Sequence, residues 1–314
     1  MRAVTATLEP TCALTIFVLG LLFGSFLNVC IHRLPRGLSV VSPRSACPRC
    51  GKQIAAYDNI PVVSWLLLRG RCRNCGNAIS SRYLLIEILT ALLFVACYAS
   101  FGWTLATLKW CVFGFLLLGL IFTDAETKLL PDKLTLTGLV LGIAFSPFVP
   151  VRDLASQWMA GAVNLPASSG IADAIWSLVD ACLGAVTGAS FIYGAGAIYL
   201  RARGIEGMGF GDVKLMAMIG AFLGLKLTVF TMFAASIAGS LFGVSTVLAV
   251  WIKRTRRRMV RNHETARTAR HRAWQSARMV YRYYQMPFGV FLGGTALVAL
   301  FFGNQFLHWY WGLL

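Results

Sequence analysis

Two acidic side chains stand at the ends of apolar runs, where a polar group is costly and therefore informative. Asp124 closes the run in LGLIFTDAETKLLPDKLTL, and Asp212 opens another in GMGFGDVKLM. If the two meet in a partly desolvated setting, they cannot both ionise cheaply, and the pair holds one proton between them. One carboxylate can then take a proton from water while the other donates to a peptide carbonyl oxygen, which is aspartic-protease chemistry.

Three glycines surround the second of these acids, namely Gly207, Gly209 and Gly211. Glycine lets backbone approach a substrate closely and permits dihedral angles that other residues avoid. The three are therefore predicted to support an active site around Asp212.

A structural role for these acids is the alternative. Asp212 can cap a helix that begins at Val213, and Asp124 can be a solvated charge at the membrane boundary. For Asp132, which follows Pro131, and for Glu126 the structural role is preferred. For Asp124 and Asp212, position in the sequence alone leaves both roles open.

Four of the nine cysteines form two Cys-x2-Cys pairs, CPRC and CRNC, separated by 21 residues and each followed by Gly. Thiolates in a reducing cytosol favour a closed tetrahedral zinc site over disulfides. The spacing is about one residue longer than the usual zinc-ribbon pattern, and free thiols are the alternative. The predicted ligands are Cys47, Cys50, Cys72 and Cys75. The other cysteines lie in or near apolar runs and are read as small hydrophobic residues: Cys12, Cys30, Cys97, Cys111 and Cys182.

Other catalytic chemistries find little support. The four histidines form no HExxH pair, and no Gly-rich segment matches a phosphate loop or a dinucleotide fingerprint. Ser25 lacks a lysine in the first or second helix to activate it, so GSF is predicted to be a helix-packing surface.

The elements that must position these residues are membrane helices. Hydrophobic residues make up 57% of the 314-residue chain, charged residues 13%, and the mean hydropathy is +0.68. We predict an all-α polytopic membrane bundle of about eight spanning helices with a small cytoplasmic zinc-binding loop. The predicted spans are residues 12–31, 83–100, 105–123, 134–150, 175–200, 213–225, 228–252 and 288–311.

The net charge of +17 reflects topology, because basic residues concentrate in alternate loops. Segments 32–82, 124–133, 201–214 and 253–284 hold 25 of the 29 Lys and Arg residues. The positive-inside rule makes that side cytoplasmic. Both Asp124 and Asp212 then lie at the cytoplasmic membrane boundary.

The predicted division is a first helix (1–31), a tetracysteine zinc domain (32–82) and a catalytic bundle (83–314). The bundle includes a periplasmic loop at 151–173 and a basic cytoplasmic segment at 253–286. That basic segment is predicted to lie on anionic headgroups, and nothing in it resembles a nucleic-acid recognition module. Within the second helix, Arg82 is expected to neutralise Glu87.

Five sequence blocks resemble, in the same order, those of the type IV prepilin peptidases, membrane enzymes that also act as N-methyltransferases. Together they cover nearly the whole chain. The blocks are GSFLNVCIHRLPRG, CPRCGKQIAAYDNIPVVSWLLLRGRCRNCGNAISSRY, TDAETKLLPD, GMGFGDVKLMAMIGAFLG and MPFGVFLGG.

This resemblance implies a GxGD-type aspartic protease whose catalytic pair is Asp124 and Asp212. Such enzymes remove the short basic leader of pilins and pseudopilins, for type IV pili or type II secretion, at the cytoplasmic face of the bacterial inner membrane. They then methylate the new N-terminal residue with S-adenosylmethionine. Zinc on the four cysteines is implied as well.

The chain departs from the family pattern in three respects. Glu126 stands where many members have a second Asp, which is harmless because that position is not one of the pair. The basic segment 253–286 is longer than the resemblance predicts. No segment forms a recognisable S-adenosylmethionine fold, so methylation rests on the resemblance and the cofactor-binding residues are unknown.

Two other functions must be weighed. A proton-coupled transporter could use boundary carboxylates, but its acids are expected near the bilayer midplane. A non-catalytic scaffold could dock partners through the zinc loop and would tolerate loss of both aspartates.

Overall fold

A computed structural model of the protein describes residues 9–150, 170–204, 209–261, 265–283 and 287–311. Within them the chain is mostly helical, and the only extended pairings are two isolated bridges, Ala46 with Gln53 and Arg71 with Ala78. The predicted all-α class is therefore confirmed. The α-helices are α1 Pro10–Arg33, α2 Val63–Leu67, α3 Arg82–Phe101, α4 Leu105–Thr127, α5 Asp132–Phe145, α6 Gly170–Arg203, α7 Phe210–Arg261, α8 Ala266–Tyr283, α9 Phe288–Val298 and α10 Asn304–Trp311.

Six helical stretches in the described part of the chain are long and apolar enough to cross a membrane. They are α1, α3, α4, α6, α7 and the run formed by α9 and α10, which a π-helical turn at Ala299–Gly303 connects. The predicted number of eight is not confirmed. One difference is α5, which has only 14 residues; the other is α7, which spans both predicted segments 213–225 and 228–252.

Helix α7 is interrupted at Gly224, whose φ of 77° and ψ of 177° are not helical. The chain reverses direction at Gly224. This follows because the two parts of α7 before and after that residue, here called its two arms, contact the same part of α6. A Cβ atom placed on Gly188 would lie 2.8 Å from the Met216 carbonyl oxygen and 3.2 Å from Thr228 Cγ2. The buried Asp180 accepts a hydrogen bond from the Leu225 N–H at 3.2 Å, at the start of the second arm. The break falls at the boundary between the two predicted segments.

The second arm of α7 runs antiparallel to α9. A Cβ atom on Gly303 would lie 2.8 Å from Leu227 Cδ2, and one on Gly239 would lie 3.7 Å from Phe288 Cε2. Gly239 is thus level with the start of α9. Residues 240–261 continue about 33 Å beyond that level, at 1.5 Å per residue.

Helix α8 packs back along this extension of α7. The Trp251 indole N–H donates to the Arg270 carbonyl oxygen at 3.1 Å. Alanines spaced one turn apart form the buried face of α8: Ala269, Ala273 and Ala277. The described part of the predicted basic linker is therefore a helical hairpin arm.

Small residues let α1 and α3 pack closely. A Cβ atom on Gly20 would lie 2.5 Å from the Ala91 Cα, and one on Gly24 would lie 2.7 Å from the Glu87 Cα. Backbones approach in this way when glycine lines a membrane-helix interface. The predicted packing role of the GSF stretch is confirmed at Gly24.

Candidate active site and metal centre

Asp124 lies in the last turn of α4 and is only 5% exposed. Its Oδ2 accepts a hydrogen bond of 3.1 Å from the Val290 N–H. Val290 is in the first turn of α9, where N–H groups have no acceptor within the helix and carry partial positive charge. The side chain of Asp124 therefore connects α4 to α9 through two residues that are 166 positions apart in sequence.

Asp212 lies in the first turn of α7, which begins at Phe210, and is 9% exposed. Its N–H donates to the Gly209 carbonyl oxygen at 3.1 Å. The alternative in which Asp212 caps a helix starting at Val213 is wrong, because the helix starts earlier. A carboxylate in a first turn is stabilised by the helix dipole, so Asp212 has a local role in addition to any chemistry.

The structure brings the two carboxylates to one end of the bundle, close enough to interact electrostatically. Leu130, in the turn between α4 and α5, lies between the backbone next to Asp212 and the backbone that binds Asp124. A Cβ atom on Gly211 would lie 3.0 Å from Leu130 Cβ, and one on Gly289 would lie 3.3 Å from Leu130 Cδ2. Gly211 precedes Asp212, and Gly289 precedes the residue that binds Asp124, so one leucine spaces the two sides of the site.

Gly289 was not among the predicted site residues. A Cβ atom there would lie only 2.9 Å from Asp124 Oδ2, so any larger residue would displace the carboxylate. The signal was present in the block MPFGVFLGG, whose glycines contribute to the family resemblance but suggest no role at the site on their own. Of the predicted supporting glycines, Gly209 and Gly211 lie beside Asp212, and Gly207 lies outside the described residues.

The turn that follows Asp124 is tight. Lys128 adopts the left-handed conformation, with φ of 55°, and its N–H donates to the Asp124 carbonyl oxygen at 2.9 Å. Side chains other than glycine and asparagine rarely occupy this region. The backbone at the end of α4 is therefore held in a conformation that costs energy on its own.

The neighbouring acids have cationic partners. Asp132 begins α5 and forms a 2.7 Å ion pair with Lys214. Glu126 pairs with Arg82 at the start of α3. Both contacts agree with the structural roles preferred for Asp132 and Glu126. The expectation that Arg82 neutralises Glu87 is wrong, because Arg82 reaches across to α4.

Glu87 instead connects the tetracysteine loop to the bundle. It is buried, and its Oε2 accepts a hydrogen bond of 2.7 Å from the Val62 N–H. Val62 precedes the short helix α2 and has φ of 63°. A β-branched residue in that region is a genuine outlier, so the contact holds the loop in a strained conformation directly over α3.

The two Cys-x2-Cys pairs have the same local fold. The N–H of Gly51 donates to the Cys47 carbonyl oxygen at 2.9 Å, and the N–H of Gly76 donates to that of Cys72 at 2.9 Å. Both glycines have positive φ, 69° and 66°, which explains why Gly follows each pair. Each pair thus forms a tight turn with its sulfurs on the inside.

The four sulfur atoms lie within 4.8 Å of one another, and the Sγ atoms of Cys47 and Cys75 are 3.8 Å apart. A tetrahedral zinc with Zn–S bonds of about 2.3 Å requires sulfurs about 3.8 Å apart. The donor set therefore fits zinc, and its four protein ligands leave no open position for catalysis.

The electrostatics of the sulfurs also suit a cation. Backbone N–H groups two or three residues further along the chain donate hydrogen bonds to the sulfurs of Cys47, Cys50 and Cys72. These hydrogen bonds lower the pKa of each thiol. The N–H of Asn77 acts in the same direction on Cys75, but desolvation and the three neighbouring sulfurs outweigh it and raise its pKa to about 11. A bound metal ion supplies the positive charge that removes this conflict.

The remaining cysteines lie apart from this centre. Cys30, Cys97 and Cys111 are buried in the bundle, Cys12 is partly buried, and Cys182 is exposed on α6. The reading of the buried three as small hydrophobic residues agrees with their positions.

Two family models match the chain. The bacterial peptidase A24 N-terminal domain matches residues 18–101, and the type IV leader peptidase family matches residues 111–244. Residues 245–314 lie outside both models.

Several curated proteins named prepilin leader peptidase/N-methyltransferase are similar to this chain. That of Myxococcus xanthus is 40% identical over 240 residues, which cover 76% of this chain and 64% of the relative. That of Aeromonas salmonicida is 34% identical over 325 residues, covering 94% and 92%. That of Pseudomonas aeruginosa is 33% identical over 318 residues, covering 93% and 91%. No solved structure matches the chain significantly.

A helical membrane bundle with two buried carboxylates near each other at one end, and a four-cysteine loop attached at that same end, has the parts of a membrane-embedded aspartic peptidase. The matching models and the extent of the identity with the relatives show more than this class: the chain belongs to the type IV leader peptidase family.

Proposed function

We propose that the protein is an aspartic endopeptidase that removes the leader peptide of type IV prepilins and pseudopilins and N-methylates the new N-terminal residue. The observation that carries the peptidase assignment is the meeting of Asp124 and Asp212 at one end of the bundle. Family membership supports the substrate class, since relatives matching over more than 90% of both chains have this name.

In the proposed reaction the two carboxylates share one proton and one water molecule. Val290 already donates to Asp124 Oδ2, which leaves Oδ1 to take a proton from the attacking water. Asp212 donates its proton to the carbonyl oxygen of the scissile peptide. The tetrahedral intermediate then collapses as Asp124 passes the proton of the water to the departing amine nitrogen, while the former carbonyl oxygen returns its proton to Asp212. Gly209 and Gly211 leave room for the substrate backbone beside Asp212.

The tetracysteine loop is proposed to be a cytoplasmic platform for the substrate. Zinc held by Cys47, Cys50, Cys72 and Cys75 would supply folding energy to a loop that has little core of its own. The hydrogen bond from the Val62 N–H to Glu87 holds the loop in a fixed position relative to α3. The division into residues 1–31, 32–82 and 83–314 follows from these separate roles.

The methyl donor is proposed to be S-adenosylmethionine, on the strength of the relatives' names. Among the described residues there is no β-sheet that could hold a nucleotide in the manner of a dinucleotide-binding fold. The described residues thus do not form a cradle of that kind for this cofactor.

The protein is an integral membrane protein by its helices and its family. We place it in the bacterial inner membrane with the carboxylate pair and the zinc loop on the cytoplasmic side, which follows from the distribution of its basic residues. The predicted contact of segment 253–286 with anionic headgroups belongs to the same placement.

The proposal is tested by replacing each carboxylate with its amide. Asp212→Asn and Asp124→Asn should lower the rate of prepilin cleavage at least about a thousandfold, since proton transfer to and from the reacting groups is lost. The assay uses purified enzyme in detergent and a prepilin peptide, with cleavage followed by mass spectrometry.

Asp132→Asn is the matched control, because it makes the same change in an acid that is 58% exposed and paired with Lys214. It should cleave within about twofold of wild type. Retained cleavage by folded Asp212→Asn would overturn the peptidase assignment. Neither a non-catalytic scaffold nor a transporter would cleave the peptide, even as the wild type.

A further inference from the structure

The tetracysteine loop contains one apolar helix, α2, whose leucines face away from the rest of the protein. Residues 59–68, NIPVVSWLLL, include no charged side chain. Leu66 and Leu67 are 57% and 78% exposed, and Ile60 and Val63 are nearly half exposed. A contiguous apolar surface of this kind marks contact with a membrane or a partner. We refer to these four side chains as the α2 apolar face.

The polarity of α2 is the reverse of that of a helix on a water-soluble domain. Its one hydroxyl residue, Ser64, is buried. The Ser64 Oγ donates to the Tyr57 carbonyl oxygen at 2.9 Å and accepts a hydrogen bond of 3.1 Å from the Ile60 N–H. A helix at a water surface turns its polar side outward. Helix α2 instead turns a polar side chain inward and its leucines outward.

The start of α2 is held at a level inside the membrane. The Val62 N–H donates to Glu87 Oε2 at 2.7 Å. Glu87 is level with Gly24 of α1, because a Cβ atom on Gly24 would lie 2.7 Å from the Glu87 Cα. The uncharged run of α1 continues from Gly24 to Ile31, about 10 Å further at 1.5 Å per residue. The side chain of Glu87 is shorter than that distance, so Val62 lies beside the membrane-spanning part of α1.

The end of α2 lies closer to the membrane boundary. The Gly70 carbonyl oxygen accepts a hydrogen bond of 2.7 Å from the Ile79 N–H, and Ile79 precedes the first residue of α3, Arg82, by three positions. Arg69 and Arg71 flank this end, and both are exposed. Cationic side chains at the end of an apolar segment reach water from the edge of a membrane. Helix α2 therefore rises from the depth of Glu87 to the boundary.

We infer that α2 is immersed in the membrane leaflet, with the α2 apolar face against lipid acyl chains and the two Cys-x2-Cys turns outside in water. An exposed side chain at the depth of Glu87 meets hydrocarbon, and contact with hydrocarbon removes Leu66 and Leu67 from water. The partner is the acyl region of the lipid, whatever the charge of its headgroup. This goes beyond the proposed peptidase function and does not depend on it, because none of these residues takes part in the reaction.

The test places a photoreactive residue on the α2 apolar face of the full-length protein. With p-benzoylphenylalanine at position 67, in vesicles of phosphatidylcholine alone and without substrate, irradiation should join the protein to lipid. The control has the same residue at position 48, because Pro48 is exposed in the turn of the first Cys-x2-Cys pair. The lipid adduct, measured by mass spectrometry, should form at position 67 at least about tenfold more than at position 48. Replacing phosphatidylcholine with phosphatidylglycerol should change the yield at position 67 less than about twofold, because acyl chains make the contact.

A second measurement uses the unmodified protein, so that a folding defect of the position 67 variant does not decide the outcome. Hydroxyl-radical footprinting is carried out in the same vesicles, with each rate corrected for the intrinsic reactivity of the residue type. Leu66 and Leu67 should be oxidised as slowly as Leu22 of α1, which is 53% exposed on a spanning helix. Pro48 should be oxidised at least about fivefold faster than these leucines, because water reaches it.

Four results would overturn the inference. Equal lipid adducts at positions 67 and 48, or oxidation of Leu66 and Leu67 at the rate of Pro48, would place α2 in water. Adducts that join two copies of the chain in place of lipid would assign the α2 apolar face to a dimer. Protection of Leu66 and Leu67 that appears only after a prepilin is added would assign it to the substrate.

Discussion

The membrane bundle and the tetracysteine loop each position a polar centre, and they do so in different ways. In the bundle, Asp124 and Asp212 are positioned by closely packed helices, with Leu130 and Gly289 setting the spacing. In the loop, the cysteine sulfurs converge from two short turns that are joined by polar side-chain contacts, such as Arg49 with Asn77 and Lys52 with Asn74. One centre depends on apolar packing, and the other is a polar cluster whose geometry fits a metal ion.

Because of this difference, we expect the two regions to respond to different perturbations. Closely packed interiors lose stability when a methyl group is added, whereas a metal-organised loop loses its fold when the metal is removed. Glu87 and Val62 form one described link between the two, beside the hydrogen bonds from Arg33 to the Ser39 and Pro43 carbonyl oxygens, so a change at Glu87 should have only a moderate effect. The predictions that follow run from the largest expected effect to the smallest.

Removing the metal should unfold the tetracysteine loop and leave the membrane bundle folded. The double variant Cys47→Ser, Cys72→Ser should lose about one zinc ion per chain and leave the loop between α1 and α3 open to protease, because zinc contributes on the order of 10 kcal/mol to such folds. The helices should remain inserted and resistant. Elemental analysis and limited proteolysis measure the two parts.

Cys182→Ser is the control for this experiment, since that thiol is exposed on α6 and lies outside the cluster. It should retain both the metal and the protected loop. Equal zinc content in the wild type and the double variant would refute the metal centre.

Adding one methyl group should damage only the bundle. A Cβ atom on Gly220 would lie 2.2 Å from the Gly184 carbonyl oxygen, and backbone atoms cannot move aside as a side chain can. We expect Gly220→Ala to lose about 1–3 kcal/mol of bundle stability, with zinc content unchanged. Thermal unfolding in detergent checks this.

The matched substitution is Gly294→Ala in α9, where nothing lies within 4 Å of the added atom. It should be neutral or should stabilise the bundle by up to about 1 kcal/mol, since alanine favours helix. Equal unfolding midpoints for Gly220→Ala and Gly294→Ala would contradict the packing argument.

Changing the link should produce an intermediate effect. Glu87→Gln keeps the shape of the side chain but replaces a charged acceptor of the Val62 N–H with a neutral one, a loss of about 1 kcal/mol. Amide hydrogen exchange at residues 60–68 should become faster while zinc content stays the same. Glu126→Gln, which changes an acid paired with Arg82 instead, should leave exchange at those residues unaltered. If Glu87→Gln also leaves it unaltered, the link is not Glu87.

The smallest effect is expected on the surface of the loop. Hydrogen bonds from Arg73 lower the pKa of Asp58, the shortest of them 2.7 Å long. A lowered pKa in the folded state means that the contribution is present above the ordinary Asp pKa of about 3.9 and is lost as pH falls through the folded value. Asp58→Asn at pH 7 should therefore loosen the loop less than Glu87→Gln does, because Arg73 is 59% exposed and exposed pairs are screened by solvent. Protease sensitivity of the loop at pH 7 measures it, and a larger effect than that of Glu87→Gln would contradict this ranking.

The sequence indicated the position of the site better than its detailed construction. Basic residues in alternate loops place Asp124 and Asp212 on one side, because charge distribution reflects topology directly. The separation of the two arms of α7 was also predicted, since residues 213–225 and 228–252 are distinct apolar runs. Cysteine spacing predicted that the four thiols lie together, because the geometry of a metal site restricts the spacing of its ligands.

Contacts between side chains were much harder to predict. Nothing distinguishes Leu130 from the many other leucines, and a glycine that makes room for a carboxylate looks in sequence like one that lines a helix interface. The partner of Glu87 was predicted wrongly, because Arg82 is its neighbour along the helix and the backbone N–H of Val62 approaches from a loop. The role of Asp124 and Asp212 in catalysis stays a prediction until the amide variants are measured.

The hydrogen bond between Asp124 and the start of α9 has a practical consequence for capturing the enzyme with its substrate. A chain that binds its prepilin without cutting it must lose chemistry and keep its architecture. Asp212→Asn meets that requirement, since Asp212 makes no described hydrogen bond to another helix through its side-chain oxygens, whereas Asp124→Asn weakens the acceptor of the Val290 N–H at the start of α9. The stable trapped complex is therefore to be sought with the residue-212 amide.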